Sequence, residues 1–397
     1  MNTNAPKPVA ELLARGSAYD GEAVLFDIDG VRVELGSGET KATLSLSMNA
    51  LRRLIADEVE ASMLFMTGDL KIEGDMNAAV AVGEVLKPRL DRTGQPAEEA
   101  STENPNIAYL DNVGLLIGDL DGTRNRFERL GFNLAGRGTH FYENPPGTFT
   151  AWGTANHCVN FRDGGLLEFI AHYYPEHPAG LYGQQLEAFG NHWGKISLHC
   201  TSANAEVSRL NRQGHPTPPP ATLYRYTDGE TFSTEPDQSK RTVLFSYPTS
   251  FQDGFMLVGA EHSLGEFPIA ESHFDHPNGA ERMRFALIAA QNLDATVARY
   301  ASALSIAAET AERGYRIALG RDSYLYFTCA SELPPTLGKS VEGRPVACVG
   351  AGFDVHDLGT TTALFRERDI AFETTPWGLA INETVAGSGT IFFEEKS

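Results

Sequence analysis

The sequence predicts an α+β protein in which a small N-terminal α/β sandwich module precedes four βαβββ units that form curved mixed sheets. Two observations support this prediction. The stretch from Arg92 to Pro105 has no aliphatic side chain larger than alanine and is typical of a linker. Beyond it, an apolar strand leads through a polar turn into a helix four times, which indicates an internal repeat. The predicted domains are therefore residues 1–91, a linker at 92–106, units one and two at 107–270, and units three and four at 271–397.

Composition narrows the classes of partner. The 397 residues carry a formal net charge of −20 at pH 7, and such a surface repels phosphate backbones and anionic lipid headgroups. We therefore expect no nucleic-acid binding. We also expect no membrane insertion, since no apolar run is long enough to span a bilayer. The four cysteines show no CxxC spacing and fit reduced, buried thiols. With no signal-peptide pattern at the start, a cytoplasmic location is expected.

The N-terminal module shows a clear order of elements. Two β-rich runs flank Asp29-Gly30 and predict a hairpin. A strand at 42–47, a helix from Met48 onward, the short strand in GDLKIEGD (68–75) and a final helix follow. This order resembles the sterol carrier protein 2 family. The matching residues are Phe65, Gly68, Leu70, Lys71, Ile72, Gly74, Asp75, Met76 and Ala79.

That resemblance implies a cavity for sterols, fatty acids or acyl-CoA, and hence a hydrophobic small molecule or lipid as partner. The alternative is a retained fold used for docking or dimerisation. A homodimer is therefore left open.

In the repeats, apolar runs end at small polar residues that cap a following helix, as at Asp119, Ser202 and Asn292. The pattern resembles the vicinal oxygen chelate superfamily, which includes glyoxalases and extradiol dioxygenases. The segments LDNVGLLIGDLDG, GTANHCVNFRDGGLLEFIA and HFDHPNGAERM are similar to its glyoxalase-like domain proteins. The resemblance implies that paired units curl into cups that hold the active site. It leaves open whether unit one pairs with unit two or with unit four.

Metal-using members of the superfamily take a histidine from the first strand of a unit and a glutamate from the last. Here Glu168 stands at the last-strand position of unit one, but Asn112 and Lys195 stand at the first-strand positions of units one and two. Unit three has Arg284 or Phe285 there. Because a cationic side chain is a poor ligand, we predict no metal and no cofactor at the usual set, with a divalent ion as the alternative.

Metal-free acid–base chemistry is the predicted use of the cup. Glu168 lies in an apolar strand and needs a partner if buried. Lys195 is that partner, Asn112 is a hydrogen-bond donor, and His199 shares a strand face with Lys195 by alternation. A carboxylate held in this way takes a proton while the ammonium stabilises an oxyanion. A structural ion pair is the competing interpretation.

Substrate-binding candidates flank this set. Trp152 and His157 lie in one predicted strand of unit one, and His192 and Trp193 precede the first strand of unit two. The sequence places His262 on the connection before unit three.

These residues favour a lyase, isomerase or hydrolase that acts on a hydrophobic oxygenated small molecule such as a lipid, steroid or terpenoid. One alternative is a non-catalytic carrier of hydrophobic ligands. A second is a metal-dependent dioxygenase, which requires two histidines and a carboxylate on strand faces of one pair of units, a set that units three and four do not supply.

Overall fold

A computed structural model describes most of the chain. The described residues are 6–17, 19–55, 61, 64–65, 68–75, 78–79, 82–83, 105–143, 148–177, 179–215, 217–229, 237–248, 253–264, 271–334, 343–387 and 389–396. Apart from its last two residues, the predicted linker at 92–106 lies outside them.

The described part of the N-terminal module contains a four-stranded sheet and two helices with defined bounds, and residues 78–79 and 82–83 of the predicted final helix are also helical. Its elements are α1 (Lys7–Gly16), β1 (Glu22–Ile28), β2 (Val31–Leu35), β3 (Ser37–Leu46), α2 (Met48–Ile55) and β4 (Leu70–Gly74). The strand order is β2-β1-β3-β4, with β1 and β3 parallel. Asp29 and Gly30 connect β1 to β2 with φ values of 49° and 84°. Two positive φ angles suit the tight turn that the Asp-Gly pair predicts.

The remaining elements repeat the order strand, helix and three strands four times. Unit one contains β5 (Ile107–Ile117), α3 (Leu120–Arg129), β6 (Arg137–Glu143), β7 (Phe149–Asn160) and β8 (Leu166–His172), and α4 (Gly180–Phe189) follows it. Unit two contains β9 (His192–Cys200), α5 (Ala203–Arg212), β10 (Ala221–Gly229), β11 (Asp237–Ser246) and β12 (Met256–Leu264). Unit three contains β13 (Ala280–Ala290), α6 (Leu293–Leu304), β14 (Ala308–Ala311), β15 (Gly314–Ala318) and β16 (Tyr324–Cys329). Unit four contains β17 (Val346–Val355), α7 (Leu358–Glu367), β18 (Glu373–Thr375), β19 (Gly378–Ile381), α8 (Glu383–Ala386) and β20 (Thr390–Glu395). Two 3₁₀ turns, Glu271–Phe274 and Ala330–Glu332, lie in connections.

The helix starts follow the capping residues of the sequence. Asp119 accepts a hydrogen bond from the backbone of Gly122, and Ser202 and Asn292 cap α5 and α6 in the same way. Each cap satisfies a backbone N–H that the first helical turn leaves without a partner. The predicted helix starts are therefore confirmed in three units.

Units one and two close into one eight-stranded barrel. The order is β6-β7-β8-β5-β9-β12-β11-β10, and β10 pairs again with β6. Units three and four form a curved mixed sheet of order β14-β15-β16-β13-β17-β20-β19-β18, which adjoins the barrel where Cys348 pairs with Trp193. Unit one therefore pairs with unit two, which answers the question that the sequence leaves open.

One end of the barrel lies against the N-terminal module. A single apolar cluster includes Leu51 of α2 together with Leu116, Trp152 and Tyr182 of units one and two. Gly68 lies so close to α4 that a Cβ built on it would be 2.5 Å from the Gln184 Nε2 atom. The module thus covers this end of the barrel with apolar side chains. Among the described helices, none is long and apolar enough to cross a membrane.

Candidate functional site

A cavity lies inside the barrel of units one and two. Its polar wall includes Asp111, Asn112, His140, Glu168, Lys195 and His262, and its apolar wall continues into the cluster shared with the N-terminal module. Strand alternation turns one side chain in two toward this interior.

The Glu168 carboxylate is the centre of the polar wall and is 1% exposed. Lys195 donates to Oε2 at 2.8 Å, and the Asn112 amide donates to the same oxygen at 3.0 Å. Asn156 donates to Oε1 at 2.5 Å, and His140 Nε2 lies 3.9 Å from that oxygen. Three of the four predicted catalytic residues, Glu168, Lys195 and Asn112, therefore lie in direct contact.

The charges of this pair stabilise each other. Burial by itself raises the pKa of Glu168, but the positive charges of Lys195 and Arg225 outweigh burial and hold that pKa well below its usual range. Burial lowers the pKa of Lys195, whereas the Glu168 charge more than restores it, so the net shift is upward. At neutral pH the carboxylate and the ammonium are both charged and face each other in the cavity.

Two neighbouring groups are neutral. His140 accepts or donates at Nδ1 to the Thr154 hydroxyl at 2.8 Å. Burial and the nearby Arg225 charge lower the pKa of its imidazole to about 3. Burial and the Glu168 charge raise the pKa of the Cys158 thiol to about 12. Near pH 7, therefore, neither the His140 imidazole nor the Cys158 thiol is charged.

A β-bulge in β5 turns the Asp111 side chain toward the cavity. The pairing of β5 with β9 shifts register between Leu110 and Asn112, so Asp111 and Asn112 both line the cavity. The Asp111 carboxylate lies 3.0 and 3.1 Å from His262 Nε2, and His262 Nδ1 lies 2.9 Å from the Thr242 hydroxyl. Burial raises the pKa of Asp111, but His262 and Lys195 outweigh it and lower the pKa.

His199, the fourth predicted catalytic residue, lies in this second cluster rather than beside Glu168. Its ring stacks on Tyr109 with centroids 4.7 Å apart and on His262 at 5.8 Å. Burial and the charges of His262 and Arg321 lower its pKa, although Asp111 acts in the opposite direction. Arg321 of unit three covers the other face of Tyr109 at 3.7 Å. This stack lies toward the barrel end opposite the N-terminal module.

The predicted substrate-binding residues are spread over three places. Trp152 packs on Tyr182 at the apolar junction with the N-terminal module. His157 hydrogen-bonds the Ala135 carbonyl and lies on the face of β7 opposite Asn156 and Cys158. His192 contacts the Gly190 carbonyl. Trp193 packs in the main hydrophobic core.

Strand boundaries differ from the sequence prediction at two of these positions. His192 and Trp193 are the first residues of β9 rather than the residues before it. His262 was predicted to lie on the connection before unit three, which is wrong because it lies within β12. The reason is that β12 continues four residues past Ala260, to Leu264.

Several functional candidates carry a weak sequence signal. Asn156 could have been found by alternation from Trp152, since residues 152, 154 and 156 share one face of β7. Alternation excludes Asp111, because only the bulge turns it inward. His140 and Arg225 lie in strands that have no distinctive motif.

The residues at the superfamily's usual metal positions do not fit a cation. Lys195 lies at one of them and points its ammonium at Glu168, which would be the carboxylate ligand. Asn112 offers an amide whose nitrogen already donates to that carboxylate. A cation there would have to displace a buried ammonium, so no step of the chemistry is assigned to a metal at this position.

The fold agrees with comparisons to protein families. Residues 110–304 match the family model of the Glyoxalase-like domain, and residues 18–87 match that of the SCP-2 sterol transfer family. The chain joins a glyoxalase-like domain to an SCP-2 domain. Both resemblances read from the sequence are thereby confirmed. Among curated proteins, none matches the chain by sequence.

Solved structures with similar topology are distant in sequence. A hypothetical protein from Staphylococcus aureus is 14% identical with a TM-score of 0.47, covering 72% of this chain and 99% of its own. A mutant 4-hydroxymandelate synthase from Streptomyces coelicolor is 12% identical with a TM-score of 0.47, covering 73% and 92%. The Mn(II)-bound glyoxalase from Novosphingobium aromaticivorans is 9% identical with a TM-score of 0.46, covering 73% and 82%.

Proposed function

We propose that the glyoxalase-like domain catalyses proton transfer next to a carbonyl group of a hydrophobic small molecule, as a lyase or isomerase does. The observation that carries the proposal is the desolvated Glu168–Lys195 pair, whose Nζ and Oε2 atoms lie 2.8 Å apart in a cavity that continues into an apolar cluster. Buried acid–base pairs in cavities are characteristic of active sites.

The roles follow from the donors and acceptors of the pair. An ammonium has three N–H groups, and Lys195 gives one of them to Glu168. A substrate carbonyl that enters the cavity takes a second one. Glu168 then removes the proton from the adjacent carbon, the electron pair of that C–H bond forms a carbon–carbon double bond, and the π pair of the C=O bond moves to the oxygen. The resulting enolate is stabilised by the fixed charge of Lys195, and Glu168 returns the proton to another carbon or a leaving group departs.

Substrate entry also activates the base. In the ligand-free site, Lys195 and the amides of Asn112 and Asn156 all stabilise the ionised carboxylate. When the ammonium turns toward a carbonyl oxygen, this stabilisation weakens and the basicity of Glu168 rises. The two amides keep the carboxylate in position. This is general-base catalysis in which the base becomes stronger only with substrate in place.

The SCP-2 domain contributes apolar side chains next to the cavity. Its helix α2 contributes Leu51 to the cluster that includes Trp152 and Tyr182, and Tyr182 also lines the cavity. A ligand held by the SCP-2 domain is thereby kept at high local concentration near the barrel. We infer that the substrate is a lipid, steroid or terpenoid ketone, since the match to the SCP-2 sterol transfer family indicates an apolar ligand and the Lys195 ammonium can bind a carbonyl oxygen.

Hydrogen–deuterium exchange tests the reaction without a known substrate. Full-length protein is incubated in D₂O with a steroid ketone and a long-chain 2-alkanone, and deuterium at the carbon beside the carbonyl is followed by mass spectrometry. We expect the wild type to accelerate exchange and Glu168→Gln to abolish the acceleration. His157→Gln, a buried histidine on the outer face of β7, is the matched control and retains it.

Two outcomes would contradict the proposal. Equal acceleration by the wild type and Glu168→Gln removes this carboxylate from the mechanism. No acceleration, together with an unmodified lipid that copurifies in a one-to-one ratio by native mass spectrometry, instead favours a carrier of hydrophobic ligands.

A further inference from the structure

We propose that Asp111, His199 and His262 form a binding site for a divalent first-row transition metal ion, separate from the Glu168–Lys195 pair. One carboxylate oxygen and one ring nitrogen from each histidine lie within 4.8 Å of one another. Ligand atoms that share an ion at bond lengths of 2.0–2.2 Å lie about 3.0–3.4 Å apart. Asp111 and His262 already meet this spacing at 3.0 Å, so only His199 has to approach.

The β-bulge in β5 is the feature that creates the site. In a regular strand Asp111 would point away from Asn112, toward the outer face of the barrel. The register shift between Leu110 and Asn112 turns Asp111 inward, where it is 1% exposed. Bulges recur next to functional sites because they re-aim a side chain. Without the bulge, the two histidines would have no carboxylate between them.

His199 brings an unused ligand atom. Its Nδ1 atom is buried and has no hydrogen-bond partner. A buried polar atom without a protein partner is satisfied by a water or an ion, and His199 shares its cluster with a carboxylate and a second imidazole. The imidazole stacks on Tyr109 with an angle of 13° between the ring planes, so the ring can slide along this stack toward Asp111 and His262.

His262 is oriented for coordination by its other ring nitrogen. Nδ1 lies 2.9 Å from the Thr242 hydroxyl, which leaves Nε2 facing Asp111. A hydrogen bond at the second ring nitrogen is the usual way in which proteins orient a metal-binding histidine. Thr242 therefore positions the ligand without touching the ion.

The donor set defines the class of ion. Two imidazole nitrogens and one carboxylate oxygen suit Zn²⁺, Fe²⁺, Co²⁺ or Mn²⁺ better than Mg²⁺ or Ca²⁺, which prefer oxygen alone. Asp111 and His262 line the same cavity as Lys195. The positive charge of Lys195 is compensated by Glu168 at 2.8 Å. The site uses none of the positions from which the superfamily resemblance takes its ligands.

Cobalt binding provides the test. Full-length protein is stripped with a chelator, dialysed and titrated with Co²⁺, and the visible d–d absorption and calorimetric heat are recorded. We expect one equivalent to bind. Asp111→Asn and His262→Gln should each weaken binding at least tenfold, whereas the control His157→Gln should leave it unchanged. Thr242→Val should weaken binding by about 10-fold while the ligands remain.

Folding of each variant is checked by far-UV circular dichroism and thermal unfolding before titration. Co²⁺ should also raise the Tm of the wild type and of His157→Gln but not that of His262→Gln, since an ion that binds only the folded state stabilises it. The proposal is overturned if the wild type binds no Co²⁺, or if His262→Gln and Asp111→Asn bind it as tightly as the wild type. Because this experiment measures metal binding, a negative result does not contradict the proton transfer proposed for Glu168.

Discussion

Gly114 packs directly against Lys195, and a Cβ atom built on the glycine would lie 3.0 Å from the Lys195 Cβ. Gly114 pairs in register with Glu168 on β8 and with Lys195 on β9, so it separates the two strands that carry the pair. The lysine side chain passes over this position to reach the carboxylate. The absence of a side chain at Gly114 is therefore what lets the ion pair form across β5.

Gly114→Ala should displace Lys195 and lengthen its contact with Glu168. We expect a loss of about 1–3 kcal/mol in the free energy of unfolding, as overpacking in a well-packed interior produces. Deuterium exchange into the ketone probes should fall at the same time. Urea unfolding and the exchange assay measure the two effects.

Gly118→Ala is the matched control for that change. Its added Cβ would lie 3.7 Å from its nearest neighbour, the Asn191 Oδ1 atom, which is an ordinary contact. Equal effects of the two substitutions would mean that Gly114 does not act through Lys195.

The Glu168–Lys195 pair should show strong coupling in a double-mutant cycle. Glu168→Gln or Lys195→Met alone leaves one buried charge without its partner and should cost about 3–5 kcal/mol of stability. The double variant removes both charges and should be clearly less destabilised than the sum of the single variants. Denaturant unfolding of the four proteins gives the coupling free energy. Additive losses would show that the two charges do not stabilise each other.

The centre of the site could be predicted because it follows two simple rules. The repeat pattern gives the first and last strands of each unit, and alternation along a strand gives the inward face. These rules bring Asn112, Glu168 and Lys195 together. They fail at Asp111, where an extra residue in β5 reverses the alternation, and a β-bulge has no reliable sequence signature.

Other features depend on contacts distant in sequence. His157 was predicted to bind substrate only because it lies in a strand of unit one. Alternation counted from Trp152 would have predicted that its side chain points out of the barrel. The cover that the SCP-2 domain forms over the barrel could not be predicted, since a linker with no aliphatic side chain larger than alanine carries no information about where its two neighbours meet. Barrel closure through β9 and β12 is likewise a contact between distant segments.

As the pH falls, the free energy of unfolding should begin to decrease near pH 6.5, above the pH range in which carboxylates titrate. Burial lowers the pKa of His140 to about 3 and those of His192 and His276 to about 4, from an ordinary 6.5. Below pH 6.5 the unfolded chain takes up protons at these histidines while the folded chain does not. The stability present above pH 6.5 is therefore lost progressively as the pH falls toward 4.

Urea unfolding at a series of pH values between 7.5 and 5 measures this loss. His140→Gln should reduce the dependence of unfolding free energy on pH, because it removes one group that titrates only in the unfolded state. His356→Gln is the control, since His356 is exposed and its side chain is 86% accessible. A pH dependence that is identical in His140→Gln and the wild type would contradict the burial argument.

Weakening the SCP-2 domain should open the barrel end that it covers. Leu51 is fully buried in the cluster that also contains Trp152, so Leu51→Ala should cost about 2–5 kcal/mol locally. Local opening of this kind exposes neighbouring side chains without global unfolding. Acrylamide quenching of tryptophan fluorescence should increase in Leu51→Ala, and comparison with the same protein carrying Trp152→Phe isolates the contribution of Trp152. Leu287→Ala, an equally buried leucine in the core of units three and four, should leave the quenching of Trp152 unchanged. If both leucine variants expose Trp152 equally, the barrel end does not depend on the SCP-2 domain for its cover.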